Sequence, residues 1–271
     1  MKISQKTINR LKSTYDEWVL ITGATSGIGK ELATKLAQAG FKLIITGRRE
    51  RALENLSTYL FDKYKTETIP VMGDLSQVED VEALLKEIDH LNVGIAVLNA
   101  GFGTSGRFIN ADIDEELNML NLNCRSVLLM SHHFVNKMKN QPKKGALVFM
   151  SSMVGFQGVP NAANYAATKA YVQSLGEALT QELKNEGIDV LTAAPGPVNS
   201  GFASRANMKM DMSLKTKDIG VPIINAIGRK SRLLPGLLTK VLVYNLRMTP
   251  RWAKVLIMGK VMSGFTKHQL N

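Results

Sequence analysis

Tyr165 and Lys169 stand four residues apart, a spacing that puts both side chains on one face of a helix. A free phenol titrates near ~10 and handles protons poorly at neutral pH. An ammonium one turn away favours the phenolate, so the pair predicts a tyrosine pKa lowered toward the range useful for general acid/base work. The pair alone is a common accident, and two further residues give it weight. Ser152 closes Met150-Ser-Ser152 at the end of an apolar run thirteen residues earlier, and its hydroxyl can meet a substrate oxygen. Asn123, within Asn121-Leu-Asn-Cys-Arg125 on the preceding helix, can hold a water that relays protons.

A second group of residues fits a phosphorylated cofactor. Thr22-Gly-Ala-Thr-Ser-Gly-Ile-Gly29 follows an apolar run and opens a helical pattern. Glycines let the backbone turn sharply and approach a pyrophosphate, and the helix N-terminus offers it free N–H groups. The spacing is G-x-x-x-G-x-G, with Gly23, Thr25, Ser26, Gly27, Ile28 and Gly29 as the candidate cradle. After the next apolar run, NAD sites usually carry an acid for the ribose hydroxyls. Here the chain has Thr46-Gly-Arg-Arg49. Guanidinium forks match phosphate oxygens, so Arg48, assisted by Arg49, is expected to hold the 2′-phosphate of NADP(H).

The elements that must position these groups follow from periodicity. Strands are expected at Trp18–Thr22, Lys42–Thr46, Thr68–Met72, Gly94–Leu98, Ala146–Met150 and Asp189–Ala193, with a short one at Arg232–Leu234. Helical stretches separate them, which implies βαβ crossovers and a parallel sheet covered on both faces. Continuous apolar strands such as Ile95-Ala-Val-Leu98 suit that burial. The expectation is one α/β domain over residues 1–234, with residues 200–230 closing over a substrate and residues 235–271 forming a helical extension.

Taken together, the motifs resemble the short-chain dehydrogenase/reductase family over residues 18–200. They are Thr22–Gly29, Asp74-Leu75, Asn99-Ala-Gly101, Asn123, Ser152, Tyr165, Lys169 and Pro195-Gly196, in the family's order and spacing. The resemblance implies a Rossmann-type doubly wound parallel sheet of seven strands in the order 3-2-1-4-5-6-7. It implies Tyr165 as proton donor or acceptor, Lys169 shared between that tyrosine and the nicotinamide ribose, Ser152 orienting the carbonyl, and Asn123 anchoring the relay water. Asp74 and Leu75 would meet the adenine, while Asn99, Ala100 and Gly101 would line the cofactor floor. Pro195, Gly196 and Val198 would carry the nicotinamide end. Ser200 departs from the threonine often found there, keeping the hydroxyl on a more flexible side chain. The family also implies a homodimer or homotetramer, paired through helices near Asp112–Lys139 and Pro160–Glu186.

Composition limits the alternatives. The 271 residues are 45% hydrophobic and 21% charged, within the globular range. The single cysteine, Cys124, rules out an internal disulfide and a cysteine-rich metal site; beside Asn123 it reads as packing. His132 and His133 match no zinc spacing, no metal is expected, and a catalytic role for them is disfavoured. Met1 to Glu17 lacks the apolar run of a secretory signal, and no run of 18 apolar residues spans a membrane. A cytoplasmic protein is expected, without nucleic-acid motifs.

The net charge of +11 is uneven, because residues 1–200 balance 21 basic against 21 acidic side chains. After residue 200, 13 Lys and Arg face only Asp211 and Asp218. Phe202, Met208, Met210 and Met212 are candidate walls of a substrate pocket. Helices expected at 236–248 and 250–262 are apolar on most sides and need cover. They can cap the substrate cleft, pack on another subunit, or lie weakly on an anionic membrane surface.

The expected activity is NADP(H)-dependent interconversion of a carbonyl and an alcohol on a fairly apolar small molecule. The alternatives are an alcohol dehydrogenase working oxidatively on a hydroxysteroid or hydroxyacyl substrate, and a cofactor-binding regulatory protein. The intact Asn123, Ser152, Tyr165 and Lys169 argue against the last.

Overall fold

Successive residues of the central strands pack on opposite sides of one sheet, each side with its own apolar core. Val19, Ile21, Leu43, Ile45, Val97 and Val148 face one core, whereas Leu20, Ile44, Ala96, Leu98, Leu147 and Phe149 face the other. Period-two alternation with both faces covered explains why the strands read as unbroken apolar runs. The computed structural model describes residues 2–209 and 213–269.

The strands are β1 (Trp18–Ile21), β2 (Lys42–Gly47), β3 (Thr68–Met72), β4 (Val93–Leu98), β5 (Gly145–Met150), β6 (Ile188–Ala193), β7 (Val198–Asn199), β8 (Leu214–Lys215) and β9 (Arg232–Leu233). Seven form the main sheet in the order β3-β2-β1-β4-β5-β6-β9, and every pairing is parallel. This is the expected order; the short pair β7–β8 stands apart as a second sheet. β1 and β9 each stop one residue earlier than the apolar runs suggest.

Helices α1 (Gln5–Thr14), α2 (Gly27–Gln38) and α3 (Glu50–Tyr64) precede α4 (Val78–Glu87), α5 (Ile113–Leu120) and α6 (Ser126–Met138). They are followed by α7 (Ala163–Glu182), α8 (Phe202–Arg205), α9 (Lys217–Ala226), α10 (Leu237–Arg247) and α11 (Arg251–Thr266). α1, α2, α3 and α9 supply Leu11, Leu36, Leu56 and Ile223 to one core; α4, α6 and α7 supply Leu84, Phe134 and Val172 to the other. Strand order reverses between β1 and β4, and in such sheets the crevice beyond the carboxyl ends of the strands takes the ligand.

α1 is an element the sequence reading passes over. Ser4 caps it, accepting from the Thr7 N–H at 3.3 Å. It is tied to the domain by Arg10, which donates to the Ile227 carbonyl at 2.7 Å, and by Tyr15, whose hydroxyl donates to Asp189 at 2.6 Å. Burial and the Asp189 carboxylate push the Tyr15 phenol pKa up, so it stays a neutral donor.

Candidate active site

The glycine loop leaves β1 and turns into α2 with almost no clearance. A Cβ on Gly29 would collide with the backbone oxygen of Gly23, so only glycine lets helix and strand approach this closely. Asn99 bridges from the end of β4: its side-chain amide donates to Thr22 O at 2.9 Å, and the Thr22 hydroxyl accepts the N–H groups of Asn99 and Ala100, each at 2.9 Å. The two loops at the switch point are thus held as one floor.

At the far end of this floor lie the arginines. Arg49 donates to the Thr25 hydroxyl at 3.4 Å, while Arg48 stands 3.6 Å from the Asp74 carboxylate. The other oxygen of Asp74 accepts the N–H and hydroxyl of Ser76, at 3.1 and 2.9 Å. A third arginine, which the sequence reading misses, enters from α8. Arg205 lines the same cavity as Arg48 and Arg49. Desolvation against the cavity wall, then repulsion from Arg49 and Arg48, lowers its pKa although the side chain stays accessible. Three guanidiniums lining one end of the cavity, with a single carboxylate among them, make a site that a phosphate would neutralise.

Lys169 and Tyr165 project from α7 at the other end. Both are buried, and the Lys169 nitrogen sits 5.9 Å from the tyrosine ring centre while donating to the Met150 carbonyl at 3.0 Å. The pKa expectation from spacing fails here. Burial pushes the Tyr165 phenol up to about 12, against a hydrogen bond with Ser152 that pulls it down. Lys169 does not lower it, because the ammonium is itself penalised by burial, to a pKa of about 8, and its proton is directed at a carbonyl. Ser152 is also held by backbone: its hydroxyl accepts from Val154 N–H at 3.4 Å and donates to Pro195 O at 3.5 Å.

Asn123 lies in a π turn, Asn121–Arg125, between α5 and α6. Its side chain donates to Phe102 O at 2.8 Å and the Thr168 hydroxyl at 3.0 Å and accepts from Phe102 N–H at 3.2 Å. Gly101 is wedged beside it, where a Cβ would come within 2.8 Å of the Asn123 oxygen and 3.3 Å of the Lys169 nitrogen. Both amide hydrogens are thus taken, and a water on this side chain would donate to the remaining lone pair of its oxygen.

One cavity of about 870 Å³ connects the two ends. Gly23, Thr25, Ser26, Gly27, Ile28, Arg48, Arg49, Asp74, Leu75, Asn99, Ala100 and Gly101 line it, as do Ser152, Tyr165, Lys169, Pro195, Gly196, Val198 and Ser200. Of the residues singled out from sequence, Gly29 and Asn123 support the wall without lining it. The roof is apolar. Phe202 and Met208 come from the segment after Pro195-Gly196, while Leu242, Leu246, Met258 and Met262 come from α10 and α11. Met210 and Met212 lie outside the described residues.

Of the covers expected for the C-terminal helices, the cleft takes their inner faces. Thr239 of α10 is buried and accepts the Gly196 N–H at 3.1 Å, fastening the extension to the turn that follows β6. Sequence gave no signal for this bond, which joins residues 43 positions apart.

Other titratable groups stay outside. Burial raises the Cys124 thiol to about 11, which suits packing and not nucleophilic attack. His132 and His133 sit on α6 away from the cavity, and no cluster of metal-ligating side chains occurs among the described residues.

The model of the short chain dehydrogenase family matches residues 17–211. A 7beta-hydroxysteroid dehydrogenase of Clostridium sardiniense is 30% identical over 185 residues, covering 68% of this chain and 70% of that enzyme. A very-long-chain 3-oxoacyl-CoA reductase of Neurospora crassa is 35% identical over 178 residues, 64% of this chain and 53% of that protein, so the match spans about half its length. A structure solved in a study of 7beta-hydroxysteroid dehydrogenase stereoselectivity superposes with a TM-score of 0.84 at 26% identity, over 92% of this chain and 98% of that one. A Sphingobium yanoikuyae short-chain dehydrogenase in complex with NADPH shares the fold, with a TM-score of 0.77 at 24% identity over 88% and 98% of the two chains. Matched by that family's model over residues 17–211, this chain belongs to the short chain dehydrogenases.

Proposed function

We propose that the chain is an NADP(H)-dependent oxidoreductase that interconverts a carbonyl and an alcohol on a large, mostly apolar small molecule. A single observation carries this reading: one cavity runs from three arginines, through a glycine floor, to Tyr165 and Ser152 beneath an apolar roof. The cradle fits a dinucleotide because its close approaches need glycine and its arginine end sets three guanidiniums against one ion-paired carboxylate, Asp74. A bound nicotinamide would supply or accept the hydride at the reacting carbon.

The chain's own residues do the rest. Arg48, Arg49 and Arg205 would hold the 2′-phosphate, and Ser26 to Gly29 the pyrophosphate at the start of α2. Ser152 orients the substrate oxygen by its hydroxyl. Tyr165 gives a proton to that oxygen in reduction or takes one in oxidation, and a pKa held well above neutrality keeps it loaded as a donor. Lys169 and a water held at Asn123 support proton return from solvent, while Phe202, Met208 and the helical roof exclude bulk water. A hydroxysteroid and a very-long-chain 3-oxoacyl group are both large and apolar, which agrees with the roof. The same residues serve oxidation of an alcohol, the net direction being set by the ratio of the two cofactor forms.

A panel of ketones, aldehydes and alcohols followed by NADPH absorbance tests the assignment. On any substrate so found, Tyr165→Phe should lower turnover at least ~10²-fold while NADPH still binds. Near-normal turnover in that variant would remove Tyr165 from the chemistry.

A further inference from the structure

The outer faces of α10 and α11 are unlike the surface of a solvated helix. On α10, Thr239, Leu242 and Leu246 turn inward to the cavity and its floor. On the opposite side, Leu237, Val241 and Tyr244 recur at four- and three-residue steps and are 77, 47 and 53% exposed, with Met248 just beyond the helix at 89%. That spacing makes one stripe. On α11, Met258 and Met262 are buried while Trp252 and Leu256 are 69 and 61% exposed.

Charge accompanies this apolar surface. No Asp or Glu follows Asp218, whereas nine Lys and Arg do. A second cavity, about 690 Å³, opens beside α10 and is lined by Arg229, Lys230, Arg232 and Lys240 next to Tyr244. Glu177, 3.8 Å from Arg232, is the sole acid in its lining. Lys240 and Tyr244 therefore belong to a basic cleft, and Tyr244 also to the apolar stripe. Such a pairing matches a phospholipid monolayer, with acyl chains against the stripe and headgroup phosphates against the cleft. A second copy seated two-fold on the same face would set cation against cation, and no described helix is long and apolar enough to cross a membrane.

We propose that the outer faces of α10 and α11 dock on an anionic lipid surface, and that the apolar substrate enters the active-site cavity from it. Entry of substrate from that surface rests on the oxidoreductase reading. Leu242, Ile257 and Val261 line the cavity and are themselves 37, 43 and 41% exposed, so accessible apolar side chains of both helices border it. A lipid-dissolved carbonyl compound can pass from the monolayer toward Tyr165 without crossing water.

Vesicle flotation of the full chain tests the docking, comparing phosphatidylcholine alone with phosphatidylcholine mixed with phosphatidylglycerol. The mixed vesicles should carry the protein at low salt and release it at high salt. Lys240→Glu should weaken binding at least about fivefold, and Trp252→Glu with Leu256→Glu should abolish it. Both variants should keep NADPH binding and turnover of a water-soluble ketone. Absence of flotation at low salt, equal binding to neutral vesicles, or displacement by inorganic phosphate at matched ionic strength overturns the docking. So does a fall in oligomer size in the Trp252/Leu256 variant, which assigns the face to a second copy. For the entry route, mixed vesicles should speed turnover of an apolar ketone by wild type and not by the Trp252/Leu256 variant; equal rates overturn it. Flotation without any NADPH-linked turnover would leave docking standing and sink the catalytic reading instead.

Discussion

The ring of Phe202 lies 5.2 Å from the ring of Tyr165, tilted 41°, so the first residue of α8 covers the proposed acid/base. Gly103 makes the contact feasible: a Cβ there would fall 2.7 Å from Phe202 Cζ and 2.8 Å from Tyr165 Cδ2. An aromatic pair of this kind is worth about 0.5–1.5 kcal/mol beyond its area. Phe202→Ala should therefore lower kcat/KM up to about tenfold by loosening the closed segment. Steady-state kinetics on an apolar ketone checks this. Unchanged kinetics would mean that α8 does not close over the phenol during turnover.

The buried lysine has a stability signature with a definite sign. Lys169 has a folded pKa of about 8, below its ordinary 10.5, so folded protein loses this proton before unfolded protein does. Its contribution is present above the ordinary pKa and is lost as pH falls from 10.5 through 8. Tyr165, raised from 10.0 to about 12, acts oppositely, and its contribution is lost above pH 10. Denaturant melts of cofactor-free protein should show stability gained between pH 8 and 9, by about 1 kcal/mol, after which Cys124, raised from 9.0 to about 11, offsets the lysine. Lys169→Met should flatten that gain. The same slope in the variant would assign it to another group.

Cofactor preference should follow the arginines. Wild type should bind NADPH more tightly than NADH by roughly 1.5–3 kcal/mol, the range for hydrogen bonds to charged groups. Arg48→Ala should remove most of that gap, and Arg205→Ala part of it, with little change toward NADH in either. Titration of both cofactors into the three proteins measures it. Equal affinities in wild type would refute the assignment of the 2′-phosphate.

Subunit pairing should use the apolar stripe on α5 and α6. Ile113, Leu117 and Leu120 repeat at four and three residues and are 63, 49 and 38% exposed, with Leu128 at 47% on the next helix. Such a stripe suits an isologous two-fold contact. Light scattering should give a dimer or tetramer, and Leu117→Glu with Leu128→Glu should reduce its size. A monomeric wild type at micromolar concentration would contradict the pairing.

Sequence alone determined the fold class and most of the cavity lining. Strands with both faces buried must read as continuous apolar runs, glycine is obligatory where backbone meets backbone, and Tyr165 and Lys169 share a face through helical periodicity alone. Those are local constraints, written in residue type and short spacing. Only the tertiary structure decided the rest. The helix of Gln5–Thr14 is held by partners more than 170 residues away, Asp189 and Ile227. Arg205 joins Arg48 and Arg49 through a chain excursion that no spacing encodes. Whether α10 and α11 cap the cleft turned on Thr239 meeting Gly196. The phenol's pKa went up instead of down because the same burial that assembles the pair desolvates both members, and burial is a property of the packed chain, not of the four-residue step between Tyr165 and Lys169.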